Sequence, residues 1–421
     1  MSLSLWIRLS TMMFLQFFVW GAWYSVLSVY LLGPLRLSPA ENASIMGLLA
    51  FASIFMPLIA GQITDRFIPS QVFLGFAHLA GAVGLYMGAL GKDYPMVSMG
   101  ILVWALAYAP TIALTNSLAF AHLKDPEKEF GSIRVLGTIG WIAAGWLLAA
   151  WRNSSHAIGG NDCLYLGAAA SVVMGLYSFT LPHTPPARSG VSPFAFLKPL
   201  SLLQNPRILV FLLVSFVVGT EIPFFFNLTP PFLKHLGIPE SDISFYMSFG
   251  QIAEILTMLA LPWFLKSFGP RMTLFIGVLA WPVRYAIFSL GEPRELILGA
   301  LALHGFCFVF FFVVAFIWMN SVAPKDIRAS AQGLLTLVIY GFGMWIGSWF
   351  SGWVQETFTE NGQTDWRSVF LVPTGLTILC AIVLFATFPR GSMQEVTAGR
   401  EPDPLRDLER VRESSVSGDK T

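Results

Sequence analysis

The chain has 421 residues, of which 55% are hydrophobic and only 12% are charged. Soluble globular proteins carry roughly 25% charged residues, so this composition predicts a polytopic helical membrane protein. The net charge of +1 and the absence of metal-ligand spacing among six His and three Cys argue against nucleic-acid binding, a metal site or a bound cofactor.

Apolar runs of about 20 residues, the length of one membrane-spanning helix, recur along the whole chain. They fall near 9–32, 44–64, 71–90, 96–121, 131–151, 163–182, 207–228, 242–265, 272–290, 295–320, 329–354 and 366–388. Between the sixth and seventh runs lies the proline-rich polar segment 183–206, which suits neither a helix nor a barrel strand. The sequence therefore predicts two sets of six spans joined by a linker.

The two ends of the chain bear on its orientation in the membrane. The first apolar run, which Arg8 precedes, is longer than a signal-peptide core and lacks an Ala-x-Ala cleavage pattern, which indicates an uncleaved span. With the N-terminus inside, Lys and Arg favour the inner loops by about two to one, which predicts that both termini are cytoplasmic. We expect four regions: an N-terminal half (1–182), a cytoplasmic linker (183–206), a C-terminal half (207–389) and a cytoplasmic tail (390–421).

Twelve spans in two sixes with a long central linker resemble the major facilitator superfamily, an all-α membrane fold whose halves rock about a site near the midplane. This resemblance directs attention to polar residues inside the spans. Outside the loops and tails, only four charges remain. They are Arg134, Glu221, Glu254 and Arg284.

The run 249–265 is apolar except for a polar pair near its start, Gln251 and Glu254, three residues apart and therefore on one helical face. A carboxylate inside a bilayer is costly and usually faces a cavity, where it marks a substrate or proton route. Burial favours its neutral form and an approaching cation such as Arg134 favours the ionised one, so Glu254 is the predicted principal protonation site. The alternative is a buried hydrogen bond that only joins helices.

A second polar stripe lies in the fifth run, where Thr138 is four residues and Trp141 seven residues after Arg134. A guanidinium, a hydroxyl and an indole on one face suit a polar solute with a ring. We expect this stripe to bind the solute, with the alternative that Arg134 only extends to water at the helix mouth.

Three other polar residues have two interpretations each. Glu221 precedes Pro223 and either lines the cavity or binds backbone groups that the proline frees. His304 either joins a proton relay or is a hydrogen-bonded interior imidazole, and Phe308, one turn on, is a candidate cavity wall. For Arg284 the sequence identifies no acidic partner, and we expect a structural role.

The chain contains no nucleophile-elbow, zinc-protease or phosphate-loop motif, so we predict that it is not an enzyme. Five short strings resemble, in order along the chain, the bacterial nucleoside:proton symporters of the major facilitator superfamily. They are LQFFVWGAW (15–23), IRVLGTIGW (133–141), GQIAEILTMLALPWFL (250–265), IRASAQG (327–333) and NGQTDW (361–366).

The resemblance implies proton-driven nucleoside import by alternating access across the inner membrane. According to this resemblance, polar positions of the central site are matched by Arg134, Thr138, Gln251 and Glu254. Its aromatic positions are matched by Trp141 and Phe308. The chain departs from the family at four positions: Pro223 and Phe226 stand where relatives have amides, although Asn227 is adjacent. Val309 stands where relatives have an aspartate, and His304 stands where they have a tyrosine.

The missing aspartate leaves proton coupling to Glu254 with His304. Glu221 and Asn227 are further candidates for lining the cavity. The expected partners are a nucleoside, protons and the lipid bilayer. The sequence indicates no oligomeric partner and leaves two alternatives open, a sugar:proton symporter and a membrane receptor that binds a solute without moving it.

Overall fold

The structure is a computed structural model that describes residues 2–155, 160–186, 195–324 and 327–388. The predicted tail (390–421) and the middle of the predicted linker (187–194) lie outside these residues. Within them the chain is helical almost throughout, which confirms the predicted all-α class.

The first six spans begin close to their predicted positions. Their helices are Leu3–Gly21 with Leu27–Leu32 (span 1), Pro39–Met46 with Leu48–Arg66 (span 2), Ser70–Leu90 (span 3), Tyr94–His122 (span 4), Pro126–Ser155 (span 5) and Asp162–Ser178 (span 6). The 3₁₀ segment Ala195–Gln204 precedes span 7.

The last six spans contain more irregular helix. They are Pro206–Pro223, Phe224–Leu228 and Thr229–His235 (span 7); Glu240–Leu290 (spans 8 and 9); Arg294–Ala300, Leu303–Gly305, Phe306–Val313 and Val314–Val322 (span 10); Arg328–Thr336, Leu337–Gly343 and Met344–Thr357 (span 11); and Trp366–Thr387 (span 12).

Spans 8 and 9 form one continuous helical segment with a sharp break at Gly269, where φ is 72° and Pro270 follows. Only glycine adopts this backbone conformation without strain, and proline then starts the next helix. Ten helices in the described part are long and apolar enough to span a membrane, and this segment is one of them. Dividing it in two and adding the shorter apolar helix Asp162–Ser178 gives the twelve predicted spans.

Irregular backbone occurs in four spans. Span 1 is interrupted at 22–26, although the sequence predicts one uninterrupted run, and wide π-helical turns occupy Phe224–Leu228, Phe306–Val313 and Leu337–Gly343 in spans 7, 10 and 11. Irregular backbone in a membrane is tolerated where protein or a cavity surrounds it, and π turns are frequent at functional sites. These four segments include or adjoin the site residues described below.

Outside the spans, the string NGQTDW forms a tight hairpin and a helix cap. Asn361 and Gly362 have φ of 52° and 77°, as a two-residue hairpin turn between Thr359–Glu360 and Gln363–Thr364 requires. Asp365 then caps span 12, and hydrogen bonds from the Ser368 amide and hydroxyl lower the pKa of its carboxyl. This string therefore has a structural function.

Candidate functional site

The first six and last six spans contact each other at the end remote from the described termini. Between spans 5 and 8, the Ser244 hydroxyl donates to the Gly145 carbonyl at 2.9 Å and the Trp146 indole donates to the Ser248 hydroxyl at 2.9 Å. The Asn153 amide donates to Asp242 at 2.9 Å. These bonds close the remote end of the molecule.

Contacts between the two sets of spans continue to mid-height. The rings of Tyr24 and Phe226 lie 5.2 Å apart, and those of Phe51 and Trp345 lie 5.5 Å apart. Toward the termini, no hydrogen bond or ring contact joins the two sets among the described residues. We infer a cleft on the side of the termini, because Arg134 and Glu254, which lie in different sets of spans, are partly exposed there.

The predicted stripe of span 5 borders this cleft. Arg134 and Thr138 are partly exposed, and Trp141 is buried. The Arg134 guanidinium lies over the Phe17 ring, 4.2 Å from its centre. Span 1 approaches so closely because span 5 has glycine here: a Cβ on Gly137 would lie 2.7 Å from the Phe17 ring.

Gln251 and Glu254 face the cleft from span 8. Glu254 is partly exposed, and the buried Gln251 carbonyl oxygen has no hydrogen-bond partner. Arg134 and Glu254 interact electrostatically across the cleft. They form no direct ion pair in the described part of the chain, in contrast to Arg152 and Asp162.

Aromatic side chains close the cleft at mid-height. The Trp141 ring lies 5.1 Å from Trp20 and 5.9 Å from Phe226. Among these walls, the Trp20 indole nitrogen and the Tyr24 hydroxyl are buried without a hydrogen-bond partner. The site thus combines flat apolar surfaces, unpaired polar atoms and two opposite charges on opposite sides of a cleft.

The comparisons with known proteins agree with this geometry. The family model described as "Nucleoside H+ symporter" matches residues 1–392. The chain belongs to the nucleoside:proton symporter family. It is therefore a multi-pass membrane transporter and not an enzyme, as the sequence predicts.

Individual members of the family align over nearly the whole chain. It is 36% identical to the putative nucleoside transporter YegT of Escherichia coli (strain K12), over 94% of this chain and 96% of that protein. It is 31% identical to the xanthosine permease of the same organism, over 92% and 96%. The crystal structure of the nucleoside transporter NupG superposes with a TM-score of 0.83 at 30% identity, over 92% of this chain and 100% of that one.

In this family member, Phe308 is a partly exposed side chain of span 10, 5.9 Å from the His304 ring. His304 itself is buried, stacked on Phe225 at 4.3 Å. It lies beside the Gln251 helix and not in the open cleft. Phe226 is an aromatic wall of the cleft, and Val309 is fully buried.

The structure places Glu221 and Asn227 differently from the expectation that they line the cavity. Both have no exposed surface, and Asn227 lies within the wide turn Phe224–Leu228. Asn227 donates to the Ser351 hydroxyl at 3.2 Å. Glu221 interacts electrostatically with Arg284, for which the sequence identifies no acid.

Sequence reasoning missed two neighbours of the central charges. Tyr340 of span 11 is partly exposed and lies close to both Arg134 and Glu254. Phe17 supports the Arg134 guanidinium. Phe17 lies in LQFFVWGAW, one of the five strings that resemble the family, so the sequence did single out this stretch. The separation of Tyr340 from Glu254 along the chain hides their proximity.

Proposed function

We propose that this protein imports nucleosides together with protons across the inner membrane by alternating access, with Glu254 as its principal protonation site. One observation carries the proposal: Arg134 and Glu254 face each other from opposite sets of spans, without a direct ion pair, beside aromatic walls. Family membership supports a nucleoside and a proton as the transported partners.

Each part of a nucleoside finds a suitable surface in the cleft. The rings of Trp141, Trp20 and Phe226 offer faces and edges for a flat base. The free Gln251 carbonyl oxygen accepts hydrogen bonds from ring or amino nitrogens, and Arg134 donates to ring or sugar oxygens. A nucleoside spanning from Thr138 to Gln251 would separate the two charges and bind both.

Proton coupling follows from the position of Glu254 at the boundary between the two moving parts. Its electrostatic surroundings depend on the distance to Arg134, and that distance changes when the parts tilt. Glu254 can therefore take a proton in one orientation and release it in the other.

We infer that the moving parts are the predicted halves 1–182 and 207–389, with 183–206 as their cytoplasmic connection. The Lys and Arg bias supports cytoplasmic termini, and in that orientation the cleft described above faces inward. Opening to the outside requires breaking the bonds between spans 5 and 8, including those of Trp146 and Asn153.

The experiment compares wild type and Glu254→Gln in a host deficient in nucleoside transport and in proteoliposomes with an imposed pH gradient. Wild type should accumulate labelled uridine or adenosine, and an uncoupler should abolish accumulation. Glu254→Gln should lose uphill accumulation and retain counterflow. Glu356→Gln, which removes an exposed acid outside the cleft, is the matched control and should accumulate normally.

Several results would overturn the proposal. Normal accumulation by Glu254→Gln would remove its proton role. Competition by excess sugar but not by excess nucleoside would indicate a sugar:proton symporter. Binding without any flux would indicate a receptor.

A further inference from the structure

The second set of spans encloses a polar cluster that is separate from the cleft. It consists of Glu221 in span 7, Arg284 in span 9 and His304 in span 10, with exposed fractions of 0%, 0% and 2%. Glu221 is the only acidic side chain in the fully buried class among the described residues. A buried acid that serves only structure is expected to be fully bonded.

This cluster is incompletely bonded. Both carboxylate oxygens of Glu221 and two nitrogens of Arg284 (Nε and Nη2) are buried without a hydrogen-bond partner. The guanidinium lies over the rings of three aromatic residues, 4.6 to 4.8 Å from their centres: Phe225, Trp281 and Tyr285. A hydrogen bond joins its Nη1 to His304 Nδ1 at 3.4 Å.

A different buried arginine is a useful internal reference. Arg152 makes a two-pronged pair with Asp162, with Nε donating at 2.9 Å and Nη2 at 2.6 Å. That geometry is the expected one for a structural guanidinium–carboxylate pair. Glu221 and Arg284 interact electrostatically without such a pair, so the carboxylate remains available to a proton.

The bond to Arg284 also defines the state of His304. A guanidinium can only donate, so Nδ1 must accept and carries no proton in this arrangement. With a neutral imidazole, an ionised Glu221 and Arg284 sum to zero charge, and one proton on Glu221 makes the cluster +1. The other titratable groups facing Glu221 and Arg284 are neutral side chains from spans 9, 10 and 12: Tyr285, Cys307 and Cys380.

His304 links the cluster to the candidate site. A Cβ on Gly250, next to Gln251, would lie 3.1 Å from the His304 side chain. At Gly305, the residue after His304, a Cβ would overlap the Ala253 backbone and lie 2.7 Å from the Glu254 backbone nitrogen. Any shift of span 10 at His304 must therefore displace the part of span 8 that holds Gln251 and Glu254.

We propose that Glu221 is a second proton-binding site of this transporter, and that Arg284 and His304 are positioning residues that couple its charge to the cleft. The inference rests on the proposed function, since it assumes proton-coupled transport. Protonation of Glu221 leaves the Arg284 cation without its buried counter-charge, which favours a different arrangement of spans 9 and 10. The site would supply a second acid besides Glu254.

The test measures the proton-to-nucleoside ratio of the full-length protein in proteoliposomes, from the limiting accumulation of uridine or adenosine at imposed pH gradients. Glu221→Gln keeps the shape of the side chain and removes the proton site. It should lower the ratio by one. With a gradient of one pH unit, the limiting accumulation should fall about tenfold, while counterflow without a gradient persists.

His78→Gln is the matched control, because His78 is an equally buried histidine in the first set of spans. It should leave the ratio unchanged. If Glu221→Gln does not fold, the double variant Glu221→Gln with Arg284→Gln decides, since it removes the proton site together with the buried cation that faces it; the ratio should fall here too. A wild-type ratio in the folded variant overturns this inference alone, whereas no accumulation by wild type overturns the proposed function.

Discussion

The two sets of spans contain polar networks in corresponding helices, and the networks differ in kind. In spans 1, 3 and 4, the Gln16 amide nitrogen donates to the Thr111 hydroxyl at 2.7 Å, and Gln16 Oε1 lies 2.9 Å from His78 Nε2. Ser171 of span 6 donates to the His78 carbonyl at 2.8 Å. In spans 7, 9 and 10, the corresponding place holds Glu221, Arg284 and His304, with most of their polar atoms unpaired.

This contrast indicates how one fold can combine a rigid part with a part that responds to protons. A neutral network with all its hydrogen bonds made rigidifies the bundle and specifies one arrangement. A charged cluster that lacks some of its bonds has no such single best arrangement, and a proton can change its net charge. We expect the first set of spans to behave as the stiffer part and the second as the part that senses protons.

The largest effect should come from removing the cation of the charged cluster. Arg284→Gln leaves Glu221 buried without a counter-charge, and an uncompensated buried charge costs about 3 to 5 kcal/mol. The midpoint of thermal unfolding in detergent should fall strongly, and nucleoside accumulation should be lost. An unchanged midpoint would contradict the electrostatic interaction between these two side chains.

A double variant separates charge from packing. Adding Glu221→Gln to Arg284→Gln removes both charges, so part of the lost stability should return, and the two effects should be non-additive. Simple additivity would mean that the two residues act independently.

An intermediate effect is expected at the contact that joins the charged cluster to the cleft. Gly305→Ala places a methyl group against the Ala253 backbone, and overpacking of this kind costs about 1 to 3 kcal/mol. Transport should fall because spans 8 and 10 separate beside Glu254. Gly299→Ala is the matched control on the same span, since its Cβ would meet nothing within 4 Å. Equal uptake by the two variants would mean that this contact does not transmit to the site.

The sequence predicts part of the fold and part of the candidate site. The twelve spans follow from apolar length, which physics ties closely to bilayer thickness. The charged residues of the cleft (Arg134 and Glu254) and of the buried cluster (Glu221 and Arg284) follow from the cost of placing charge in lipid, which singles out these four side chains. The interruption of span 1 at 22–26 has no comparable signal, because an apolar composition continues through it.

The sequence did not predict which side chains from distant spans lie next to each other. Glu221 and Arg284 stand in different helices, and neither periodicity nor hydropathy reports which helices are neighbours. The same reason hid Tyr340 beside Glu254. Helical spacing places residues on a face, but only packing decides what that face meets, and here packing buries Glu221 completely.

The smallest effect should come from trimming the neutral network. Ser171→Ala removes the hydroxyl that donates to the His78 carbonyl and lies 3.4 Å from His78 Nδ1. One buried hydrogen bond contributes about 0.5 to 1.5 kcal/mol net, so the unfolding midpoint should fall slightly. The proton-to-nucleoside ratio should stay at the wild-type value, because no charge in this network changes during transport. A changed ratio would mean that the first set of spans also takes part in proton coupling, and the division between a stiff part and a proton-sensing part would fail.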